Sequence, residues 1–273
     1  MRFASAFGPR LRPLLDLIFP PRCVYCGRLG DYLCENCRAE ARPIGTNLCI
    51  RCGNPLTQRG LCHRCRYDPP DPIRGLRGVF FYNGPIAQSI RSLKYHGIRQ
   101  LAPILAAPLA AYIQAHPIPI DFIIPTPLHP ERLASRGFNQ SELLAADITR
   151  ILHIPHRTDL LQRIRHTKPQ AQLNRAQRLQ NVAGAFAVQH GARLHGETIL
   201  LIDDVATTGA TLRACAQTLQ EIGAGEIWAL TVARANAAAI LDDQRPTPSP
   251  SDAFLLWDAE RRGFTGDPAD LFI

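Results

Sequence analysis

From about residue 74 onward, the apolar residues are spaced alternately in short β-like runs and at helical intervals. The β-like runs predict five strands, at residues 76–82, 122–126, 185–188, 198–202 and 226–233. Helical spacing predicts four helices, at residues 86–95, 101–115, 141–152 and 210–222. Asn139 or Ser141 is expected to cap the third helix. Strands alternating with helices imply right-handed crossovers, so the pattern predicts an α/β domain with a mostly parallel sheet at residues 74–240.

Three other segments depart from this pattern. Residues 156–180 are polar, with six basic residues against one acidic residue, and are expected to form a loop. Residues 1–20 are expected to form an N-terminal helix, and residues 241–273 are an acidic, proline-containing tail. The apolar patch near the start is interrupted by Asp16, and no run reaches the eighteen apolar residues that a membrane span needs. We therefore expect a cytoplasmic protein without a signal peptide or membrane span.

Composition and charge narrow the class of protein further. The chain has 273 residues, of which 46% are hydrophobic and 20% charged. Such a composition excludes a mainly disordered or collagen-like chain. The net charge is +8, and 29 of the 31 basic residues are arginine. The planar guanidinium suits phosphate groups, so phosphorylated ligands are compatible with this charge.

Cysteines dominate residues 21–70. Eight of the nine cysteines form four C-x-x-C pairs: Cys23 with Cys26, Cys34 with Cys37, Cys49 with Cys52, and Cys62 with Cys65. In a reducing compartment this spacing favours Zn²⁺ ligation, and two similar units predict two successive structural Cys₄ sites in a double zinc ribbon. A cross-braced arrangement and a redox role are the alternatives. Zinc ribbons either bind nucleic acid or protein or act only as struts. We interpret His63 as solvent-facing and Cys215 as a packed core thiol.

The chemistry of the larger domain concentrates at residues 200–211, which read LLIDDVATTGAT. An apolar strand ends in Asp203 and Asp204, and a short loop then opens a helix. The amides of such a loop suit a phosphate, while the paired acids suit a ribose diol and lie close enough to influence a divalent cation. The other predicted ligand-binding residues are Val205, Ala206, Thr207, Thr208, Gly209, Ala210 and Thr211. The string is neither a Walker loop nor a dinucleotide fingerprint.

The string LLIDDVATTGAT resembles the motif with which type I phosphoribosyltransferases bind phosphoribosyl pyrophosphate (PRPP). Residues 10–235 resemble the ComF competence-protein family, which joins that fold to a double zinc ribbon. Further family-like features stand in the same order along the chain: Leu93, Lys94, Tyr95, Ile124, Pro125, Thr126, Pro127, His129, Arg132, Arg136, Gly137, Phe138, Asn139, Gln140, Gln170, Arg178, Asn181, Ala185 and Phe186.

The resemblance implies a site for PRPP with Mg²⁺. It assigns catalytic roles to Asp203, Asp204, Arg132, Arg136 and Lys168. It assigns the pyrophosphate side and the lid over it to Pro127, His129, Arg132, Arg136, Gly137, Asn139, Gln140, Gln170 and Arg178. Residues 156–180 would then be a mobile basic lid that excludes water, and the alternative is a solvated connector.

The resemblance also implies a role in DNA uptake during natural transformation, with binding of single-stranded DNA. A DNA-uptake helicase or other competence proteins are the expected partners. Tyr25, Tyr32 and Tyr67 are candidates for stacking on bases, or else packing residues. The alternative is an active phosphoribosyltransferase that transfers phosphoribosyl from PRPP to a base or amine.

Overall fold

The computed structural model of the chain describes residues 20–166 and 181–235. The acidic tail and residues 1–19 of the expected N-terminal helix lie outside the described residues. So do residues 167–180 of the expected lid. None of the helices in the two described ranges is long and apolar enough to cross a membrane.

All nine elements that the periodicity predicts occur in the predicted order, and the structure adds one helix and one strand to the larger domain. Two short helices, α1 (Glu35–Ala39) and α2 (His63–Tyr67), belong to the cysteine-rich segment. The larger domain contains β1 (Gly75–Phe81), α3 (Gly84–His96), α4 (Leu101–Ala115), β2 (Phe122–Pro125), α5 (Pro130–Arg136), α6 (Gln140–Leu152), β3 (Leu161–Arg163), β4 (Phe186–Val188), β5 (Ile199–Ala206), α7 (Ala210–Gln220) and β6 (Ile227–Arg234).

Four of the strands form the central sheet in the order β1-β6-β5-β2, and all neighbours are parallel. The side chains of β5 alternate between the two faces of this sheet. Leu200 and Ile202 join the core under helices α3, α4 and α6, whereas Ile199 and Leu201 join the core under α7. The fold is therefore a three-layer α/β domain, and the carboxyl ends of its parallel strands share one edge, where open sheets place their ligands.

Helix α6 begins as its sequence predicts. Asn139 is the N-cap residue, and its side-chain oxygen accepts a hydrogen bond from the Ser141 N–H at 3.1 Å. The Asn139 amide also donates to the Thr126 carbonyl at 3.0 Å, which ties the start of α6 to the end of β2. This cap therefore places the first turn of α6 beside the carboxyl edge of the sheet.

Two segments differ from the sequence predictions. The segment after β2 contains helix α5, because Pro130 suits the first helical turn and His129 Nδ1 accepts from the Glu131 N–H at 3.4 Å. The segment 156–180 contains β3, which pairs with β4 as an antiparallel two-stranded sheet. Arg163 in β3 is buried, with its guanidinium 5.4 Å from the centre of the Phe186 ring. Part of the expected lid is thus fixed in the core.

The cysteine-rich segment lies against the β1 edge of the sheet in two different ways. Cys23, Cys34 and Cys37 of the first unit belong to the same apolar core as Phe80. The second unit has a small core of its own, and the Arg51 carbonyl accepts from the Leu76 N–H at 2.9 Å. The first unit therefore shares its packing with the larger domain, while the second unit is attached mainly by polar contacts.

Candidate functional site

The eight paired cysteines form two groups of four sulfur atoms. Cys23, Cys26, Cys34 and Cys37 form the first, and Cys49, Cys52, Cys62 and Cys65 form the second; within each group all Sγ atoms lie within 4.8 Å of one another. A tetrahedral Zn²⁺ with bonds of about 2.3 Å places its sulfurs roughly 3.8 Å apart, so both groups fit zinc. The sites are successive, as predicted, and the cross-braced alternative is wrong. His63 belongs to neither group and its side chain is exposed.

In each group, backbone N–H groups stabilise the thiolate form of one cysteine. Burial would raise the pKa of Cys23, but N–H groups of the following knuckle outweigh it and lower the pKa to about 6. The same balance lowers the pKa of Cys49 to about 6. Deprotonated sulfur is the form that binds metal. Cys215, by contrast, is fully buried and burial raises its pKa well above the ordinary value, which confirms the prediction of a packed core thiol.

The predicted anion loop connects β5 to α7 at the carboxyl edge of the sheet. An open hollow of about 200 Å³ lies there, lined by Asp203, Val205, Ala206, Thr207, Gly209, Ala210, Thr211 and Leu212. Thr208 does not line the hollow, and its hydroxyl accepts from the Ala210 N–H at 3.3 Å. Gly209 has a φ of +78°, and a Cβ atom there would lie 2.8 Å from both Leu76 and Arg213 side-chain atoms. Glycine is therefore favoured by the backbone conformation, and an added Cβ would also displace the ends of these two side chains.

The two neighbouring aspartates face different surroundings. Asp203 lines the hollow, and its Oδ1 accepts from the Ser141 hydroxyl at 2.9 Å. Asp204 points away from the hollow into the protein, where it forms an ion pair with the Nζ of Lys94 and accepts from the Gln140 amide at 3.2 Å. Only one of the two carboxylates is thus presented to a ligand in this structure.

The different surroundings also give Asp203 and Asp204 different pKa values. Burial and the charge of Asp204 raise the pKa of Asp203 to about 7. Burial acts on Asp204 as well, but the attraction of Lys94 outweighs it and lowers the pKa of Asp204. The pKa of Lys94 is in turn raised, because Asp204 outweighs the effect of burial on the ammonium. The pair therefore consists of one firmly ionised carboxylate and one that titrates near neutral pH.

Three of the residues predicted for the pyrophosphate side lie next to the aspartates. Arg136 donates to the Gln140 side-chain oxygen, and its guanidinium lies 5.7 Å from the centre of the Tyr95 ring. Asn139, the cap of α6, precedes Gln140 directly. The structure therefore brings Arg136, Asn139, Gln140, Asp203 and Asp204 together at one edge of the sheet, although they come from separate parts of the chain.

The other predicted residues in the described part of the chain lie after β2 and along α5. Arg132 lies one turn before Arg136 on α5, and Gly137, with a φ of +78°, ends this helix. The ring of His129 lies 5.1 Å from that of His166. Pro127 is half-buried after β2. Three further residues, Lys168, Gln170 and Arg178, lie outside the described part of the chain.

Sequence reasoning did not assign a site role to two residues that contact the aspartates. Lys94 carries the counter-charge of Asp204, although the sequence shows it only as one of two lysines, within a family-like tripeptide. Ser141 was considered as a helix cap but donates to Asp203 instead. No signal in the sequence alone predicts either contact, because each joins residues that lie far apart along the chain.

Comparisons with known proteins agree with this architecture. Residues 14–66 match the model of the double zinc ribbon domain, and residues 139–259 match that of the phosphoribosyl transferase domain. The DNA utilization protein YhgH of Escherichia coli O157:H7 is 34% identical over 227 residues, which are 78% of this chain and 98% of that protein.

Two relatives with competence names extend the comparison. Competence protein F of Haemophilus influenzae is 29% identical and matches 78% of this chain and 97% of that protein. Competence protein ComFC of Bacillus subtilis is 28% identical, with 74% of this chain and 83% of that protein matched. Together with the two zinc-fitting Cys₄ groups and the parallel sheet, these similarities show that the chain belongs to the ComF family of competence proteins, with a type I phosphoribosyltransferase fold behind a double zinc ribbon.

Proposed function

We propose that this chain binds PRPP with Mg²⁺ at the carboxyl edge of β5 and acts in DNA uptake or use. One observation carries the proposal: the hollow at the end of β5 joins an anion loop to the Asp203 carboxylate. The amides of the loop and the α7 N-terminus suit the 5-phosphate, while Asp203 suits a ribose hydroxyl. Carboxylate oxygens are also the ligands that Mg²⁺ prefers, so the residues present fit the metal.

The neighbouring cations suit the pyrophosphate of the same ligand. Arg136 lies near the aspartates and is held by the Gln140 side chain, while Lys94 contributes positive charge from its pair with Asp204 behind the hollow. Bound Mg²⁺ would supply further positive charge to the pyrophosphate oxygens. Transfer of phosphoribosyl to a base or amine is the second candidate function, and this arrangement of cations favours it, because a leaving pyrophosphate needs such charges.

A calorimetric titration tests the binding of PRPP. The wild-type chain is expected to bind PRPP with Mg²⁺ and to bind it at least about tenfold more weakly without the metal, a difference of about 1.4 kcal/mol. The double variant Asp203→Asn/Asp204→Asn should lose affinity by a similar factor, because charged acceptors become neutral amides. Asp147→Asn, which removes a carboxylate paired with Arg150 on α6, is the matched control.

If the titration of PRPP and Mg²⁺ into the wild-type chain gives no heat of binding, the proposal is contradicted. Release of pyrophosphate above background in the presence of any base or amine would favour the transferase. Binding without release would favour a site that senses PRPP or docks through it.

The relatives' names support a role with DNA, and exposed aromatic residues supply a surface for single strands. Tyr67 at the end of α2 is 72% exposed and Tyr25 is 46% exposed. Tyr32, the third candidate, packs against the main core instead. Arg66 precedes Tyr67 and is exposed, so a base could stack on the ring while its phosphate meets a guanidinium. A DNA-uptake helicase or another competence protein is the partner that this role implies.

Fluorescence anisotropy with a labelled oligothymidylate tests this surface. Tyr67→Ala is expected to weaken binding about 5- to 150-fold, since stacking of one base on an aromatic ring contributes roughly 1–3 kcal/mol. Tyr67→Phe keeps the ring and should bind like the wild-type chain. Equal affinities of the alanine and phenylalanine variants would remove Tyr67 from the proposed surface.

A further inference from the structure

Two arginines lie behind the anion loop and hold consecutive carbonyl groups of it. Arg213 in α7 donates from Nη1 to the Thr208 carbonyl. Arg234, the last residue of β6, lies with Nη2 3.5 Å from the Thr207 carbonyl. The peptide bonds here are trans, and in a trans peptide the C=O and the next N–H point in opposite directions. The arginines therefore direct the N–H groups of Thr208 and Gly209 away from themselves.

Each arginine is anchored outside the loop, and one anchor belongs to the zinc ribbon. The Nε of Arg213 donates to the Asp71 carboxylate at 2.7 Å. The Nη2 of Arg234 donates to the side-chain oxygen of Asn54 at 2.7 Å. Asn54 follows Cys52 by two residues, and its carbonyl accepts from the Cys49 N–H at 2.8 Å. The Arg234 guanidinium thus links the second metal site to the anion loop, because it contacts both Asn54 and the Thr207 carbonyl.

The burial of Arg234 makes this connection depend on charge. The residue is only 3% exposed, and its Nε and Nη1 are buried with no hydrogen-bond partner among the described residues. Burial lowers the pKa of Arg234 to about 10 and the charges of Arg213, Arg64 and Arg77 act in the same direction, whereas negative charge at Cys52 opposes them. A Zn²⁺ with four thiolates carries a net charge of about −2. A filled second site therefore supplies the counter-charge that a buried cation requires.

We propose that zinc in the second ribbon, acting through Arg234 as a positioning residue, fixes the conformation of the anion loop at residues 205–211. The second ribbon is then a zinc-dependent part of the ligand site. Cys23, Cys34 and Cys37 of the first ribbon pack instead into the core with Phe80. The ligand-binding consequence rests on the proposed binding of PRPP, but the effect of zinc on the loop does not.

Hydrogen exchange of the full chain, followed by mass spectrometry at peptides covering residues 205–211, tests the effect on the loop. Cys62→Ser removes a ligand of the second site, and Cys26→Ser removes one of the first, with zinc content measured for both. Exchange at residues 205–211 is expected to rise at least about fivefold in Cys62→Ser and to remain unchanged in Cys26→Ser. Equal exchange in the two variants would overturn the proposal.

Two milder variants keep the test valid if Cys62→Ser loses too much structure. Asn54→Ala removes only the anchor, and Arg234→Met removes the guanidinium while keeping a long apolar stem. Both should retain two zinc ions and still show faster exchange at residues 205–211. Wild-type protection in both would also overturn the proposal.

A titration with PRPP and Mg²⁺ separates this inference from the proposed function. Weaker binding by at least about fivefold in Asn54→Ala and Arg234→Met, with intact affinity in Cys26→Ser, supports the ligand-binding consequence. Equal binding by the wild-type chain and all variants contradicts it while leaving the proposed function standing. A wild-type chain that does not bind PRPP contradicts the proposed function, and the exchange measurement then decides the inference alone.

Discussion

Freshly purified, reduced protein is expected to contain two zinc ions per chain, and removal of the metal is expected to unfold residues 21–70. Each site has four sulfurs close enough for one tetrahedral ion. Structural zinc contributes roughly 10–16 kcal/mol in small zinc-binding peptides. The second unit in particular has few apolar side chains to replace that contribution. Elemental analysis gives the zinc content, and limited proteolysis with and without chelator gives the unfolding.

The two sites are expected to differ in how their loss affects the larger domain. Loss of the first zinc by Cys26→Ser should lower the Tm of the larger domain, because neighbouring cysteines pack with Phe80. Loss of the second zinc by Cys62→Ser should lower this Tm less, because the second unit has a small core of its own, although Arg234 loses its counter-charge. Cys215→Ala, which changes a buried thiol of the other core, is the control and should retain two zinc ions. One zinc per chain, or none, in the wild-type protein would contradict the assignment.

Local patterns explain why much of the fold could be predicted from the sequence. The strand and helix at residues 198–222 are encoded by an apolar run, a glycine at a φ of +78° and apolar residues at helical spacing. The spacing of the four cysteine pairs is enough to predict the two metal sites. Each of these signals lies within about twenty residues, and the structure changes mainly the boundaries, as in β5, which extends to Ala206.

The contacts that the sequence did not predict join side chains from residues far apart along the chain. The pairing of Lys94 with Asp204 joins residues 110 positions apart, and nothing in either segment indicates the partner. Arg163 was counted as a basic residue of a lid, but it is buried and its guanidinium packs on the Phe186 ring. The sequence also treats Asp203 and Asp204 as equivalent, because their different environments arise only when α3 and α6 meet the end of β5.

This difference leads to opposite expected effects of the same substitution at neighbouring positions. Asp203→Asn keeps the oxygen that accepts from Ser141 and from the Asp204 N–H, and loses only the buried charge. It is expected to raise the Tm by about 4 °C or more at pH 8, since about 1 kcal/mol corresponds to roughly 2–4 °C in a chain of this size. Asp204→Asn leaves the Lys94 ammonium without its counter-charge, and should cost about 3 kcal/mol and lower the Tm by about 6–12 °C.

The dependence on pH gives a second test of the same assignment. The pKa of Asp203 is raised to about 7, so between about pH 4 and pH 7 the folded chain holds a proton that the unfolded chain has lost. The wild-type chain therefore becomes less stable through this window as the pH rises, relative to a variant without this group. Calorimetric scans should show that the advantage of Asp203→Asn is larger at pH 8 than at pH 6.

A third variant controls for the buried lysine, and ligand binding shows why the unfavourable charge is retained. Replacing both partners, in Lys94→Met/Asp204→Asn, should recover most of the stability that Asp204→Asn loses, because no unpaired charge remains.

Asp203→Asn should nevertheless bind PRPP with Mg²⁺ more weakly than the wild-type chain, since its charged acceptor is gone. Tm shifts of the same sign in the two single variants would contradict the different charge states of the aspartates. Opposite shifts together with weaker binding would identify Asp203 as a carboxylate kept for the ligand at a cost to the fold, as is common for functional sites.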